Sequence, residues 1–346
     1  VSREWDDAAT QAAIEVANHV VANLDALSRS RAGDADRAER VRAFCRQFVE
    51  TAFRRPLTAD EKRIFVDERL RDGNHVAADV KRIVLLALKS PRFAYPGLGG
   101  GKGDAFESAS RLSFALWDSL PDLELFKSAA EGRLQTRGQV AEQANRLLAD
   151  ARARAKVHDF LQQWLQMNHA EDLSKDAALY PGFTPEIIAD LRTSLNLFLE
   201  DAVWNGKSGF RDLLLSEHLY LNDRLAEFYG AEVESGGDFQ KVPFDARQRS
   251  GVVTHPYLLA AFSYPKSSSP IHRGVFLTRN VVGRALKPPQ VAVEFKENDF
   301  PPHLTMREKV EELTRSAACQ TCHSVINPLG FTRTIRRGRP LSHRGK

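Results

Sequence analysis

The chain has 346 residues, of which 42% are hydrophobic, and a formal net charge of +4. This length and composition are typical of a folded protein of two or three domains. Three cysteines exclude a disulfide-rich scaffold, and no stretch approaches the roughly 18 consecutive apolar residues of a membrane span.

The positive charge does not indicate a nucleic-acid partner. Six of the 49 basic residues lie in residues 333–346, which hold no acid, so the remainder carries 43 basic against 45 acidic groups. Elsewhere the two signs alternate at helical spacing, as in 37–46, which is typical of a solvated helix face. We therefore expect no nucleic-acid binding.

Helical patterns begin in the N-terminal part of the chain. Thr58 and Glu61 form a capping-box pattern that predicts a helix to about Leu70, and a second helix is expected over 76–89. A proline- and glycine-rich stretch ending in Gly99-Gly100-Gly101 then marks a linker. These features predict an N-terminal helical domain over 1–96.

A second helical block follows over 104–232. Apolar residues recur at helical spacing over 157–165, and Thr184 caps a helix with Pro185 at its first position. Alternating strand patterns are scarce, so the fold class is predicted as mostly α, with multi-helical, bundle-like domains. A glycine-bearing loop at 234–238 precedes a third domain, predicted over 240–332.

The third block ends in a short motif. Ser267-Ser268-Ser269-Pro270 predicts a turn before a helix over 272–283, and Thr305 with Glu308 predicts a helix that runs to the residue before Cys319. The three serines beside His272 could suggest a nucleophile and its base, but a polar turn is the simpler interpretation.

Residues 319–323 read Cys-Gln-Thr-Cys-His, the C-x-x-C-H pattern of covalent haem attachment. Cys319 and Cys322 can each add to a haem vinyl group, and His323 then supplies the proximal nitrogen to the iron. Ile326, Pro328, Leu329 and Phe331 are candidates for one wall of the haem. The predicted cofactor is therefore haem c.

Other chemistry uses similar patterns. A thioredoxin-like dithiol would need the motif at a helix start after a buried strand, whereas the residues before Cys319 read as helix. A zinc site would need further Cys or His ligands, yet Cys45 is the only other cysteine. A local disulfide or a chance match also stays open.

The sixth iron ligand decides what the iron does. Met306 is the nearest methionine, but an unbroken helix from it to Cys319 would span about 20 Å, so it could ligate only if the chain folds back. His272, His255 and His303 are the alternatives.

Four blocks resemble the planctomycete cytochrome family, large exported proteins described mainly by domains of unknown function that end in a C-x-x-C-H module. The resemblance runs from about residue 40 to 332, and its blocks are 54–58, 111–117, 221–230 and 319–331. It implies a c-type haem on Cys319, Cys322 and His323 in a periplasmic or cell-surface protein, since haem is attached after export. It does not supply a reaction.

The chain departs from that family pattern. Domains that relatives carry at either end are missing, so the chain resembles an internal fragment, and Asn327 stands where relatives commonly have Asp. After Thr332 the family pattern gives way to a basic tail. One permitted coding of 333–346, read in a shifted frame, gives LEPFDAVGRYRTEG, which is the family pattern; we interpret the tail as a non-native, frame-shifted product, and sequencing of the gene tests this.

Three functional classes are consistent with the sequence. The favoured one is an exported electron-transfer protein with a helical scaffold body and an unidentified redox partner. The second is a haem enzyme of peroxidase or oxidase type. The third is an exported binding or scaffold protein whose helical body engages a polymer or a surface partner.

Overall fold

The computed structural model describes residues 2–71, 75–97, 104–167, 173–207, 209–245, 249–287, 295 and 299–331. Within these residues the chain forms 17 α-helices and a single pair of antiparallel strands, so the predicted mostly α fold is confirmed. The predicted linker at Gly99–Gly101 and the tail at 333–346 lie outside the described residues.

The described chain divides into two compact units, Val1–Val157 and His158–Lys346. These units do not coincide with the three domains predicted from the sequence, whose borders stay a prediction. The helices of the first unit are α1 Arg3–Ala22, α2 Leu24–Leu27, α3 Arg37–Phe53, α4 Ala59–Lys62, α5 Val76–Leu88, α6 Pro91–Ala94, α7 Ala105–Trp117, α8 Leu123–Ala130, α9 Arg137–Leu148 and the start of α10, Ala151–Trp164.

The capping box predicted at Thr58 is present. The Thr58 hydroxyl accepts from the Glu61 amide, and the Glu61 carboxylate accepts from the Thr58 amide. The helix that follows is not uniform, because α4 passes into a π-helical turn at Arg63–Asp67. Glu61 also receives a two-pronged ion pair from Arg55, with Nη2–Oε1 and Nη1–Oε2 distances of 2.8 and 2.9 Å.

Two apolar clusters hold the first unit together. One joins α1, α3 and α5 through fully buried side chains such as Val49 and Ile83. The other joins α7, α8 and α9 around Trp117, whose indole N–H donates to the Leu147 carbonyl at 2.9 Å while Arg152 stacks on its ring. Amphipathic helices thus bury one face each, as the helical spacing of their apolar residues requires.

The second unit contains the remaining helices and both strands: α11 Pro185–Glu200, α12 Phe210–Leu215, β1 His218–Leu221, α13 Asp223–Tyr229, β2 Gln240–Pro243, α14 Pro256–Ala261, α15 Pro270–Phe276, α16 Met306–Leu313 and α17 Ala317–Phe331. β1 and β2 pair antiparallel, with His218 opposite Pro243 and Leu221 opposite Gln240. The predicted cap of Thr184 and the first-turn Pro185 are both present in α11.

The predicted polar turn before α15 is also present. The Ser269 hydroxyl accepts from the His272 amide and caps the helix, which supports the turn interpretation over a nucleophile. The predicted helix over 272–283 is shorter than expected as an α-helix, because α15 passes into a π-helical turn at Leu277–Val281.

α15 and α17 touch backbone to backbone. A Cβ atom added to Gly330 would lie 1.9 Å from the Pro270 carbonyl oxygen, and one added to Gly274 would lie 2.1 Å from the Ile326 carbonyl oxygen. Only glycine therefore fits at either position. The Arg273 guanidinium adds a hydrogen bond of 3.0 Å to the Gly330 carbonyl.

One prediction about the last block was wrong. The sequence predicted one helix from Thr305 to the residue before Cys319, but α16 ends at Leu313 and α17 begins at Ala317. The Thr314 hydroxyl donates back to the Val310 carbonyl, and the Ser316 hydroxyl accepts from the Cys319 amide and so caps α17. The C-x-x-C-H motif consequently lies in the first turns of a helix.

No helix within the described part of the chain is long and apolar enough to cross a membrane.

Replacing Glu61 by Gln is expected to weaken the first unit in a pH-dependent way. Hydrogen bonds from Arg55 are the main cause that lowers the pKa of Glu61 to about 2. The stabilisation is therefore complete above the unfolded pKa near 4.5 and is lost as the pH falls through about 2. We expect Glu61→Gln to lower the free energy of unfolding by about 2 kcal/mol at pH 7, with the difference shrinking below pH 4.5.

Urea unfolding at several pH values measures this difference. Asp60→Asn is the control, because Asp60 is exposed and pairs with the surface residue Arg63; it should change the free energy of unfolding by about 0.5 kcal/mol or less. A Glu61→Gln effect that is the same at pH 7 and pH 2.5 would contradict the prediction.

Gly330→Ala is expected to destabilise the second unit by about 2 kcal/mol or more, because backbone must move to admit the methyl group. The matched control is Gly138→Ala in α9, where nothing lies within 4 Å of the added Cβ apart from the chain neighbours and the backbone of the same helix. Helix propensity should make that change neutral to stabilising by up to about 1 kcal/mol. Thermal unfolding of both variants checks the pair, and equal effects would refute the proposed backbone contact.

Candidate functional site

The motif residues lie together on α17. Cys319 and Cys322 are three residues apart in the helix, so their thiols share one side of its first turns. Both cysteines and His323 are half-buried, and both thiols are free. The third cysteine, Cys45, is 1% exposed inside the first unit, and burial raises its pKa to about 12. The two motif thiols are therefore the accessible pair.

His323 is held by a chain of hydrogen bonds. Its Nδ1 lies 2.9 Å from the Asn327 side-chain oxygen. The Asn327 amide nitrogen donates to the Thr314 hydroxyl at 2.9 Å, and that hydroxyl donates to the Val310 carbonyl at 2.8 Å. Because the Thr314 hydrogen is used on Val310, its oxygen is free to accept, which sets the orientation of the Asn327 amide.

The direction of that chain determines which imidazole nitrogen is available. With the amide oxygen of Asn327 facing the ring, Nδ1 of the neutral imidazole carries the hydrogen and Nε2 carries the lone pair. A histidine that ligates a metal commonly donates its other ring N–H to such a partner, which fixes the ring and raises its basicity. His323 thus has the arrangement that a ligand through Nε2 requires.

The break between α16 and α17 makes this arrangement possible. Thr314 is the residue after α16, and its carbonyl also accepts from the Gln320 side chain at 2.6 Å. At the far end of the pair, the Arg307 guanidinium lies 4.5 Å from the centre of the Phe331 ring. α16 therefore folds back along α17, and Thr314 meets the buried Asn327.

The residues proposed for a haem wall occupy different faces. Ile326 is buried against Gly274 of α15, and Phe331 is half-buried beneath Arg307. Leu329 is half-buried, whereas Pro328 is exposed. At about 100° per residue Pro328 lies about 140° round α17 from His323, so its position gives no support to its assignment to the wall.

The structure also shows where two candidates for the sixth iron ligand lie relative to His323. The chain does fold back, as ligation by Met306 requires, but this brings Met306 to the Phe331 end of α17, about 12 Å along the helix from His323. His303 is exposed beside that helix start. No contact joins either residue to His323, and their roles stay predictions.

Two histidines of the second unit are engaged elsewhere. His272 is half-buried against the Tyr264 ring, and burial lowers its pKa. It lies about 200° round α15 from Gly274, the residue that touches α17. His255 is 1% exposed, with Nε2 3.3 Å from the Ser194 hydroxyl and Nδ1 accepting from the Tyr257 amide. Neither ring is directed at the motif by these contacts.

The alternatives to haem can be weighed against the geometry. One observation fits the thioredoxin-like interpretation, because the motif does lie at the beginning of a helix. No strand precedes that helix among residues 299–316, as the interpretation would require. Among the described residues no three His, Cys, Asp or Glu side chains converge as they would around a bound metal ion. This gives no support to a tetrahedral zinc site.

Sequence reasoning did not find Thr314 or the glycine contact. Asn327 was noted only as a departure from the family pattern, although its position four residues after His323 places the two on one helix face. That spacing was the available signal. Thr314 had none, because its role depends on the break between α16 and α17.

Comparison with protein families gave two matches. Residues 104–231 match the family model PSD4, a protein of unknown function (DUF1592). Residues 249–333, which include α15, α16 and α17, match the family model PSCyt3, a protein of unknown function (DUF1588). Comparison with curated proteins and with solved structures gave no significant match.

The chain is thus a multi-helical protein with a cytochrome-like module at the end of its described residues. Both matched models are domain families of the planctomycete cytochrome c type, in agreement with the family that the sequence blocks resemble.

The hydrogen-bond chain predicts the tautomer of His323. In the protein without haem, the neutral ring should carry its proton mainly on Nδ1, and Asn327→Leu or Thr314→Val should shift it several-fold toward the Nε2–H form. Two-bond ¹H–¹⁵N correlation spectra distinguish the two forms. The exposed His303 serves as the internal control and should not change between variants. A wild-type His323 that is mainly protonated on Nε2 contradicts the assignment.

Proposed function

We propose that the chain is an exported c-type haem protein that transfers electrons, with its helical body as a scaffold. The observation that carries this proposal is the first part of α17, where two accessible thiols one turn apart adjoin a histidine oriented through Asn327. The match of residues 249–333 to a cytochrome-like family model supports it. We also propose a periplasmic or cell-surface location, because haem is attached covalently after export.

The residues present fit haem c. Cys319 and Cys322 would hold the macrocycle by two thioether bonds, and His323 would bind the iron through Nε2. Haem c, when bound, supplies an iron that exchanges one electron between its ferric and ferrous states.

The rest of the site would keep that histidine in place. Asn327 accepts the Nδ1 hydrogen, Thr314 orients Asn327, and the Gly274–Ile326 and Gly330–Pro270 contacts fix α17 against α15. A ring that does not rotate between redox states lowers the reorganisation that accompanies each electron transfer. The half-buried motif also leaves its cofactor within reach of a redox partner.

The test is expression of the chain behind a secretion signal in a host with a cytochrome c maturation system. We expect a haem-stained band after denaturing electrophoresis, because thioether bonds survive denaturation. Cys319→Ser with Cys322→Ser should abolish the band. Cys45→Ser is the matched control and should keep it, since Cys45 is buried in the first unit.

The spectrum of the native protein separates the functional classes. Electron transfer predicts a six-coordinate, low-spin iron in both redox states. A high-spin iron that binds external ligands and turns over peroxide would replace the proposal with a peroxidase or oxidase. Absence of covalent haem from the wild-type chain would overturn it in favour of a binding or scaffold protein.

A further inference from the structure

The first unit contains a large cavity that none of the haem chemistry uses. Its volume is 1410 Å³, and it is lined by α1, α3, α6 and the end of α7. Alanines of α1 and α3 form much of its wall, together with aromatic rings including Phe44, Phe93 and Phe114. A concave, largely apolar space of this kind is typical of a ligand site.

Three apolar side chains that line the cavity are exposed to solvent. Trp5 is 48% exposed, Val16 is 40% exposed and Leu27 is 42% exposed, and all three line the same space. A cluster of large apolar side chains left in contact with water is unfavourable and indicates a binding surface. An apolar ligand would gain free energy by covering it.

The cavity also contains an unusual cation. Arg54 lines it and is only 4% exposed. Its guanidinium donates to the backbone carbonyls of Ala52, Phe93 and Arg92 and lies 5.8 Å from the centre of the Phe114 ring. Within the described residues no carboxylate forms an ion pair with it.

Two neighbouring arginines, unlike Arg54, have a carboxylate as counter-ion. Arg55 pairs with Glu61, and Arg40, which also lines the cavity, pairs with Asp36 at 2.7 Å. Arg54 alone among these three is both buried and without a counter-ion. A buried charge without a counter-ion is costly, and an anion placed beside it removes part of that cost.

The backbone conformation of Arg54 is a second observation that supports a role for its side chain. Arg54 is the C-cap of α3 and has a φ of 60°, a left-handed conformation that favours glycine. Placing a long cationic side chain there costs about 1 kcal/mol or more in backbone strain. The position therefore holds an arginine against the local conformational preference, which indicates that the guanidinium itself is used.

We propose that this cavity binds an amphipathic monocarboxylate, an acid with a medium to long apolar chain. The carboxylate pairs with Arg54, and the apolar chain covers the exposed surface of Trp5, Val16 and Leu27. The proposal is independent of haem attachment, because every residue it uses lies in the first unit.

The test compares two ligands of equal length on the purified wild-type chain. Decanoate and decan-1-ol are titrated separately below their aggregation limits and followed by calorimetry. We expect decanoate to bind at least about tenfold more tightly, the worth of one charge-assisted hydrogen-bonded pair. This comparison needs no variant, so it decides the question even if substitutions at Arg54 impair folding.

Three variants locate the site. Arg54→Gln should make the two ligands bind equally, whereas Arg40→Gln, which removes a paired cation from the same cavity, should keep the preference for decanoate. Ala12→Trp, at an exposed position of α1 that faces the cavity, should weaken both ligands. Circular dichroism checks that each variant is folded.

Any of three results would overturn the proposal. If decanoate and decan-1-ol bind the wild-type chain equally, the cavity is an apolar groove that does not recognise an anion. If neither binds, or if Ala12→Trp changes nothing, the cavity is not the ligand site. Loss of covalent haem from the motif variants would leave these measurements unaffected.

Discussion

The contact between α15 and α17 is the constraint on which the candidate site depends. Gly274 and Gly330 let the two helix backbones approach so closely that a single methyl group would collide with a carbonyl oxygen. That approach fixes the position of α17, and α16 then folds back along the same helix until Thr314 reaches Asn327. The orientation of His323 is thus the result of two packing events on one helix, and the two glycine contacts lie outside the motif.

This arrangement separates the support of the site from its chemistry. The buried face of α17 carries Ile326, Asn327 and Gly330, which pack and hydrogen-bond within the protein. Cys319 and Cys322 lie in the first turns, beyond that packed part, and stay accessible.

Much of the fold could be predicted from the sequence, because local rules decide most of it. The capping boxes at Thr58 and Thr305 and the cap at Thr184 depend only on residues within one helical turn. Helix interruptions could not be predicted as reliably. The π-helical turn after α15 and the break at Thr314 arise where tertiary contacts outweigh local propensity, and the apolar spacing of a helix is the same on either side of such a break. The motif residues were evident from their order, whereas the partner of Asn327 was not.

The break at Thr314 also changes how the motif is interpreted. A helix that ran unbroken into Cys319 would keep Asn327 beside His323 but would move Thr314 away, so nothing would fix which end of the amide faces the ring. With the break, the Thr314 hydroxyl is committed to the Val310 carbonyl and can only accept from Asn327, so the amide has one orientation that satisfies both neighbours. An aspartate at position 327 could still accept from Nδ1 but could not donate to Thr314. Asn327 therefore gives a neutral, directional partner to His323, and a neutral partner donates less electron density to the ring than a carboxylate would.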